Sequence, residues 1–310
     1  MIDGGKYMNT EEQLNITLAN KYRPKTFSEV YAQEVCTKRL INQIENHKYS
    51  HVQLFTGNAG CGKTTCARIF ANCIDGEIKE LDCASNGGVA NIREIVEDAR
   101  VKSLLHPYKV IILDECHAIT KEGWISLLNV LEENLPNTIF IFCTTDAQKI
   151  PNTILSRAKR LNFVPIPNRD MLARLKEIAA AENIQIEDEA LKYIVRSAKG
   201  SLRQALTNLD SCLDYGSLDT ESVCKVLSMV SVDVMKDLYD AFEKNDTNTI
   251  ISKINDLYNS GHELHFFVRQ FLDYCVTKSN MDLVERLLTI LQDIRYDETP
   301  KNIIIARLII

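Results

Sequence analysis

A glycine-rich stretch, Gly57-Asn58-Ala59-Gly60-Cys61-Gly62-Lys63-Thr64, follows the apolar residues 52–55 and precedes the helix-prone residues 65–72. Glycines let a backbone curl so that its N–H groups point at phosphate oxygens, and the N-terminus of a following helix adds partial positive charge. A glycine-rich turn that only caps a helix is the alternative. The order strand, loop, helix favours a phosphate-binding loop over that alternative.

The residues of this loop predict how a nucleotide is held. We expect Lys63 to neutralise the β- and γ-phosphates and Thr64 to place its hydroxyl on Mg²⁺. The predicted nucleotide-binding residues are Gly57, Asn58, Ala59, Gly60, Cys61, Gly62, Lys63, Thr64 and Thr65.

Size and composition are those of an ordinary globular protein. The chain has 310 residues, of which 45% are hydrophobic and 25% charged, which is enough for two or three domains. No apolar run approaches the roughly 20 residues that span a bilayer, and residues 1–20 lack a signal-peptide pattern. We therefore expect no membrane partner and a cytoplasmic location. The net charge of −6 argues against coating of nucleic acid by bulk charge, although a local basic surface remains compatible with it.

The 10 cysteines are scattered through predicted helices and strands, which suits a reducing compartment. They include no Cys-x-x-Cys pair, so we expect no structural zinc.

Periodicity predicts an α/β domain followed by helices. In residues 52–163, short β-branched runs alternate with amphipathic segments, as in a parallel sheet with crossover helices. Two prolines within residues 163–167 can continue neither a helix nor a central strand, so a domain boundary is predicted there. The predicted strands are 52–55, 78–82, 110–113, 139–143 and 160–163, and the two helices between them are 88–105 and 121–133. The predicted domains are a nucleotide-binding domain at 1–167 and helical domains at 168–228 and 229–310.

An acidic pair, Asp114-Glu115, directly follows the apolar residues 110–113. Downstream of a phosphate-binding loop, such a pair predicts a hydrolysis site, with Asp114 holding Mg²⁺ through water and Glu115 as the base that polarises the attacking water. A solvated acidic turn is the alternative. The run 139–143 brings Thr144 to the same sheet edge, where its hydroxyl can hold the lytic water or sense the γ-phosphate, or serve only as a cap or turn.

Several motifs, taken together, resemble one family: the AAA+ ATPase subunits of DNA polymerase sliding-clamp loaders. The resemblance is closest to the gamma/tau subunit of bacterial DNA polymerase III and extends to the small subunits of replication factor C and to phage loaders. It covers about residues 18–214, and the rest matches only in being helical. The motifs are KYRPKTF at 21–27, GNAGCGKT at 57–64, LDCASN at 81–86, ILDECH at 112–117, CTTDAQKIP at 143–151, LSR at 155–157 and GSLRQAL at 200–206.

The resemblance implies a fold and roles for further residues. The fold is an AAA+ P-loop parallel-sheet domain, a small helical lid and an all-helical C-terminal collar, with ATP and Mg²⁺ as cofactors. Arg157 is implied to be an arginine finger that acts in trans on the nucleotide of a neighbouring subunit. Arg203 is implied to read the γ-phosphate in cis. The segment implied to pack over the adenine contributes Tyr22, Arg23, Val30 and Tyr31.

The resemblance also implies partners. They are other loader subunits in a ring or spiral, expected to be pentameric, the sliding clamp and primer-template DNA. Residues 86–93 and Lys121 are candidates for DNA contact, and the apolar tip at 104–108, near the end of a helix, is the candidate for the clamp. The apolar run 303–310 would be exposed to water unless other residues cover it. This predicts that the last helices pack against neighbouring subunits.

Two departures from the family pattern do not touch the phosphate chemistry. The chain lacks the four-cysteine zinc module that bacterial gamma/tau subunits usually insert after the first helix, and Ala158 stands where a Cys normally completes the Ser-Arg motif. The absent module and the absence of a tau-like tail favour a compact version of the subunit, for which a phage origin is an expectation from architecture.

The sequence is also compatible with two other functions. One is another AAA+ replication ATPase, such as a helicase loader or branch-migration motor. Against it, KYRP, LSR and GSLRQAL occur together, and no repeated aromatic loop suits the pulling of a strand. The other is a nucleotide-binding scaffold without turnover, against which intact Lys63, Asp114, Glu115 and Arg157 argue.

Overall fold

The computed structural model describes residues 16–133, 135–295, 297 and 300–309. The chain divides into two compact units. One runs up to Pro165 and also contains Leu202–Asp210, and the other contains Ile166–Ser201 and the residues from Ser211 onward. Across the described ranges, no helix is both long and apolar enough to cross a membrane. The three-part division at 167 and 228 stays a prediction.

The first unit is built on a parallel sheet. Its strands are β1 (Val52–Thr56), β2 (Gly76–Asp82), β3 (Tyr108–Asp114), β4 (Thr138–Thr144) and β5 (Lys159–Asn162). They lie in the order β2-β3-β4-β1-β5, and every neighbouring pair is parallel. The predicted α/β class is confirmed, and the apolar runs form the buried central strands because both of their faces are covered.

The helices of this unit cover both faces of the sheet. They are α1 (Leu18–Lys21), α2 (Glu34–Glu45), α3 (Lys63–Cys73), α4 (Cys83–Asn86), α5 (Val89–Arg100), α6 (Lys121–Glu132) and α7 (Asn152–Leu155). Strand alternation separates two cores: Leu54 packs in the cluster with residues of α5 and α6, and Phe55 in the cluster with residues of α2 and α3.

The sheet register brings polar strand ends together. Thr56 of β1 is paired with Thr144 of β4, and Asp82 of β2 with Asp114 of β3. All four residues end their strands, and parallel strands share one carboxyl edge. The predicted phosphate loop and acidic pair therefore lie along the same edge.

The helix predicted at 88–105 is wrong at its C-terminal end. α5 ends at Arg100, and Val101 already has an extended backbone with φ −83° and ψ 121°. Pro107 disfavours helical geometry just before it, and the chain has to turn into β3 at Tyr108. The apolar tip thus lies on the loop after the helix, where Leu104 is 97% exposed.

The second unit is helical, as predicted. It contains α8 (Asn168–Ala181), α9 (Asp188–Ser197), part of α10 (Leu202–Tyr215), α11 (Thr220–Val226), α12 (Val232–Glu243), α13 (Thr247–Asn259), α14 (Leu264–Thr277), α15 (Met281–Asp293) and α16 (Lys301–Ile309). In α16, Ile304 and Leu308 are buried in the core formed by α12 to α15, and Ile303, Ile305 and Ile309 are partly buried against it. The chain's own helices therefore cover Ile304 and Leu308, and packing of the last helices against neighbouring subunits stays a prediction.

Candidate nucleotide-binding site

The loop between β1 and α3 requires glycine at particular positions. Gly57, Gly60 and Gly62 have φ values of 148°, 71° and 102°, a region that side chains with a Cβ rarely adopt. A Cβ on Gly57 would also lie 2.4 Å from the carbonyl oxygen of Phe163. The strand, loop and helix thus occur in the order that the sequence predicts, with a backbone curvature that favours glycine.

Lys63 opens α3 and turns its side chain back over the loop. Its Nζ donates to the carbonyl oxygens of Gly57 and Asn58, each at 2.9 Å, and the residue is only 5% exposed. Within the described part of the chain, no carboxylate forms an ion pair with this ammonium. A buried cation held only by neutral carbonyls lacks the counter-charge that would offset its desolvation. A phosphate group would supply that charge, so the loop fits a nucleotide.

The next residue, Thr64, lies beside the predicted metal partner. Its hydroxyl donates to Oδ2 of Asp114 at 2.6 Å, and Oδ1 of Asp114 accepts from the backbone N–H of Glu115 at 3.0 Å. In the described ranges, no group of three or more His, Cys, Asp or Glu side chains converges on one point. Mg²⁺ in nucleotide sites commonly takes one or two protein oxygens and completes its shell with phosphate and water. A hydroxyl and a carboxylate in contact fit that donor set.

Glu115 has a left-handed backbone, with φ 46° and ψ 43°. Such a conformation in a non-glycine residue costs roughly 1–3 kcal/mol and persists where the surrounding contacts enforce it. Here the contacts are to Thr145, whose Oγ1 donates to Oε2 of Glu115 at 3.0 Å, and to Nδ1 of His117, 3.3 Å from the same oxygen. The carboxylate predicted to act as base is therefore held in place beside Asp114.

Thr144 has a different environment from the one that a water-holding role suggests. It is fully buried, its Oγ1 accepts from the N–H of Asp146 at 3.0 Å, and it lies 3.2 Å from Nδ1 of His117. Its neighbour Thr145 makes the contact with Glu115. The sequence brings the pair Thr144-Thr145 to this edge, but the predicted role was given to Thr144, and His117 was not singled out. The catalytic role of Thr144 stays a prediction.

Arginine side chains form a positive region next to the first turn of α3. Nε of Arg23 donates to Oγ1 of Thr65 at 3.2 Å, and Arg68 pairs with Glu80, with NH2 2.7 Å from Oε1. Burial, and then the nearby charges of Arg68 and Arg203, lower the pKa of Arg23. The charge of Arg203 therefore acts on Arg23, and a bound anion would relieve the repulsion between these two residues predicted from the family.

The remaining N-terminal residues lie close by. Val30 packs against the core cluster that contains Cys61 and Phe55, and Tyr22 and Tyr31 are half-buried. Their contact with an adenine stays a prediction. Sequence reasoning missed Gln33, which is buried and donates to the carbonyl oxygens of Cys61 and Val164 at 3.2 and 2.7 Å. No sequence motif indicated this link between the segment and the loop.

Arg157 is not part of this constellation. It is exposed, and its guanidinium donates from NH1 to the carbonyl oxygen of Thr153 at 2.9 Å and from NH2 to Oε1 of Glu132 at 2.8 Å. Within the described residues, no hydrogen bond or ion pair joins it to the loop 57–64. The structure thus brings together the loop, the acids and Arg23, with Arg203 close enough for its charge to act on Arg23, and leaves Arg157 at the surface.

Comparisons with known proteins identify the families that two parts of this chain match. Residues 53–166 match the ATPase family associated with various cellular activities (AAA), and residues 171–217 match the ATPase lid domain of the DNA polymerase III clamp loader subunit. The fold resembles the Thermotoga maritima RuvB Holliday junction branch migration motor, with a TM-score of 0.57, 20% identity, and coverage of 72% of this chain and 80% of that one. At this identity the likeness shows the fold alone. Fold and site together define the class: the chain belongs to the AAA ATPases.

Within that class the relatives are specific. The chain is 30% identical to the DNA polymerase III subunit tau of Bacillus subtilis over 304 residues, which are 90% of this chain and 54% of the relative. It is 32% identical to the subunit gamma/tau of Mycobacterium tuberculosis H37Rv, over 87% of this chain and 53% of the relative. It also matches the Protein STICHEL of Arabidopsis thaliana at 31% identity, over 84% of this chain and 24% of that protein. The chain is a member of the DNA polymerase III gamma/tau family of AAA ATPases, and it spans about half the length of the two bacterial relatives.

Proposed function

We propose that this chain is the ATP-hydrolysing subunit of a clamp loader, which opens a DNA polymerase sliding clamp and loads it on primer-template DNA. One observation supports this function: the buried Lys63 and the Thr64–Asp114 pair have the chemistry of half of a hydrolysis site, while the arginine predicted to complete such a site is exposed elsewhere on the chain. Such a division supports a site completed by a neighbouring subunit. The clamp-loader lid at residues 171–217 supports the family-specific part.

In this proposal the chain's own residues divide the chemistry. Mg²⁺, when bound, supplies positive charge that stabilises the charge developing on the phosphates. Thr64 and Asp114 would hold it, and Lys63 would bind the phosphate oxygens in place of the two loop carbonyls. Glu115 would orient the attacking water and accept its proton. Thr145 and His117 contact Oε2 of this carboxylate, so Oε1 would take the water without the loss of either contact.

The assembly follows from Arg157. An exposed guanidinium can reach the nucleotide of an adjoining subunit, where its charge would stabilise the transferring γ-phosphoryl group. We infer a ring or spiral of such subunits, with a pentamer as the expected number. Arg203, whose charge acts on Arg23, would report the γ-phosphate to the lid.

Two surfaces suit the other partners. Leu104 and Leu105 are 97% and 88% exposed on the loop after α5, and such exposed apolar side chains favour a protein contact, here the clamp. Arg93 of α5 and Lys121 of α6 are exposed cations near helix N-termini, which suits contact with DNA phosphates. All ten cysteines are free thiols, which is compatible with a reducing compartment such as the cytoplasm.

The experiment that tests this function measures ATP hydrolysis by the chain, assembled with its partner subunits, with clamp and primed DNA added singly and together. We expect the combination to stimulate hydrolysis beyond either component. An absence of stimulation would count against loading and favour another AAA+ replication ATPase. Full loading activity in the Glu115→Gln variant would instead indicate a scaffold that does not turn over.

A further inference from the structure

Glu132 binds the arginine that the proposed function places in a neighbour's site. NH2 of Arg157 donates to its Oε1 at 2.8 Å. The other contact of Arg157, from NH1 to the carbonyl oxygen of Thr153, is local, because Thr153 lies in the short helix just before it. The contact with Glu132 connects α6 to that segment across the fold.

The position of Glu132 on its helix makes the contact informative. It is the last residue of α6, where the negative end of the helix dipole disfavours an acidic side chain. Glu133 follows as the helix cap, where the helix dipole disfavours its charge in the same way. Its partner is Arg100 at the end of α5, and Nε of Arg100 lies 2.9 Å from Oε2 of Glu133. The two acids thus have the same chemistry and different connections. Glu133 joins two helices, and Glu132 holds Arg157.

Holding Arg157 in this way leaves it able to bind an anion. A guanidinium has five N–H donors in a rigid plane. In the described structure, Thr153 and Glu132 take one donor each. The remaining donors can meet phosphate oxygens without loss of either contact, so Glu132 can fix the direction of the guanidinium while it is in use.

We infer that Glu132 is a positioning residue for ATP hydrolysis, which acts through Arg157 on the nucleotide of the adjoining subunit. This inference rests on the proposed function. The two side chains are 41% and 60% exposed, so water screens the attraction between them, and its contribution is that of a surface pair. Loss of such a contact predicts a decrease in kcat of about two- to fivefold.

The test compares variants of the full chain assembled with its partner subunits. Glu132→Ala should lower kcat about two- to fivefold and leave ATP affinity and the amount of assembled complex unchanged. Glu132→Gln keeps an oxygen acceptor and should restore most of the rate, whereas Glu132→Lys repels Arg157 and should lower the rate further than Ala. Glu133→Ala is the matched control, because it removes an adjacent acid with its own arginine partner, and it should leave kcat unchanged.

A mixing experiment locates the effect. In this experiment, subunits that carry both Glu132→Ala and Lys63→Ala are mixed with wild-type subunits. The double-variant subunits hydrolyse nothing themselves, so any further decrease in the ATPase rate belongs to their wild-type neighbours. The inference predicts lower hydrolysis than in complexes that carry Lys63→Ala alone. If Arg157→Ala abolishes hydrolysis while Glu132→Ala and Glu132→Lys behave like Glu133→Ala, Glu132 has no positioning role and the proposed function stands. If Arg157→Ala itself has no effect, the arginine finger is wrong.

Discussion

The hydroxyl of Thr64 donates to Oδ2 of Asp114 over 2.6 Å, which joins the first turn of α3 to the last residue of β3. The two residues lie far apart in the sequence and meet because the loop after β1 and the end of β3 share the carboxyl edge of the sheet. Mg²⁺ bound here would be held by the Thr64 hydroxyl and, through water, by Asp114.

Replacement of Thr64 tests this pair. Thr64→Ala should raise the Mg²⁺ concentration that half-saturates hydrolysis by about tenfold, which corresponds to about 1.4 kcal/mol of lost binding. Thr64→Ser keeps the hydroxyl and should retain most of the affinity. A Mg²⁺ titration of the ATPase rate measures both, and equal midpoints for Ala and the wild type would contradict the assignment.

Lys63 and Arg157 should separate binding from hydrolysis. Lys63→Ala should abolish nucleotide binding in its own subunit, because the buried ammonium is the cation that the loop holds for phosphate. Arg157→Ala should spare binding and stop hydrolysis in the neighbour. Equilibrium binding of a fluorescent ATP analogue and steady-state ATPase distinguish the two, and loss of binding in Arg157→Ala would place that arginine in its own site.

Gly57 should not tolerate a side chain. Gly57→Ala places a Cβ 2.4 Å from the carbonyl oxygen of Phe163 at a φ of 148°, so the loop or the strand end has to shift. We expect a loss of about 1–3 kcal/mol in the free energy of unfolding, together with weaker nucleotide binding. Gly88→Ala is the control, since its φ is −68° and nothing lies within 4 Å of the added Cβ. Equal midpoints of thermal unfolding for Gly57→Ala and Gly88→Ala would show that the close approach of Gly57 to Phe163 does not determine the stability.

The C-terminal helix should contribute to the stability of the second unit by itself. Ile304 is fully buried, so Ile304→Ala should lower the free energy of unfolding by about 2–5 kcal/mol. Val276→Ala, at a side chain that is 55% exposed, should have little effect. Denaturant unfolding of the unassembled chain measures this. An Ile304→Ala chain as stable as the wild type would indicate that α16 is held mainly by other subunits.

Asp219 should give the stability a defined pH dependence. It caps α11, and hydrogen bonds from Ser217, and from the backbone and side chain of Ser222, lower its pKa from 3.8 to about 2. A lowered pKa means that the folded state favours the ionised form, so this stabilisation is complete above pH 3.8 and is lost as the pH falls towards 2. Asp219→Asn keeps a capping oxygen that does not titrate, and should flatten the unfolding profile over this pH range. Parallel profiles for variant and wild type would contradict the assignment.

The sequence was sufficient for features that depend on neighbouring residues. Gly57 to Thr64, the apolar strands and the acids after β3 are local patterns, and each has one strong structural meaning. It was less reliable where a segment ends: α5 stops at Arg100 because the chain has to enter β3, although apolar residues continue to Leu105. The contacts of Thr145 with Glu115 and of Gln33 with Cys61 were also out of reach, because they join loops whose paths no local pattern specifies.

The sequence by itself determined the class of site. The glycine-rich loop with its lysine and the acidic pair are each short motifs, and their residue types alone indicate phosphate and metal chemistry. Only the tertiary structure decided which of these groups meet. It brought Thr64 to Asp114 and Arg203 near Arg23, held Arg157 on Glu132 away from the loop, and buried Ile304 within its own unit. The physical reason is that such contacts depend on the sheet register and on side-chain packing across the whole fold, which are properties of the assembled core and not of any one segment.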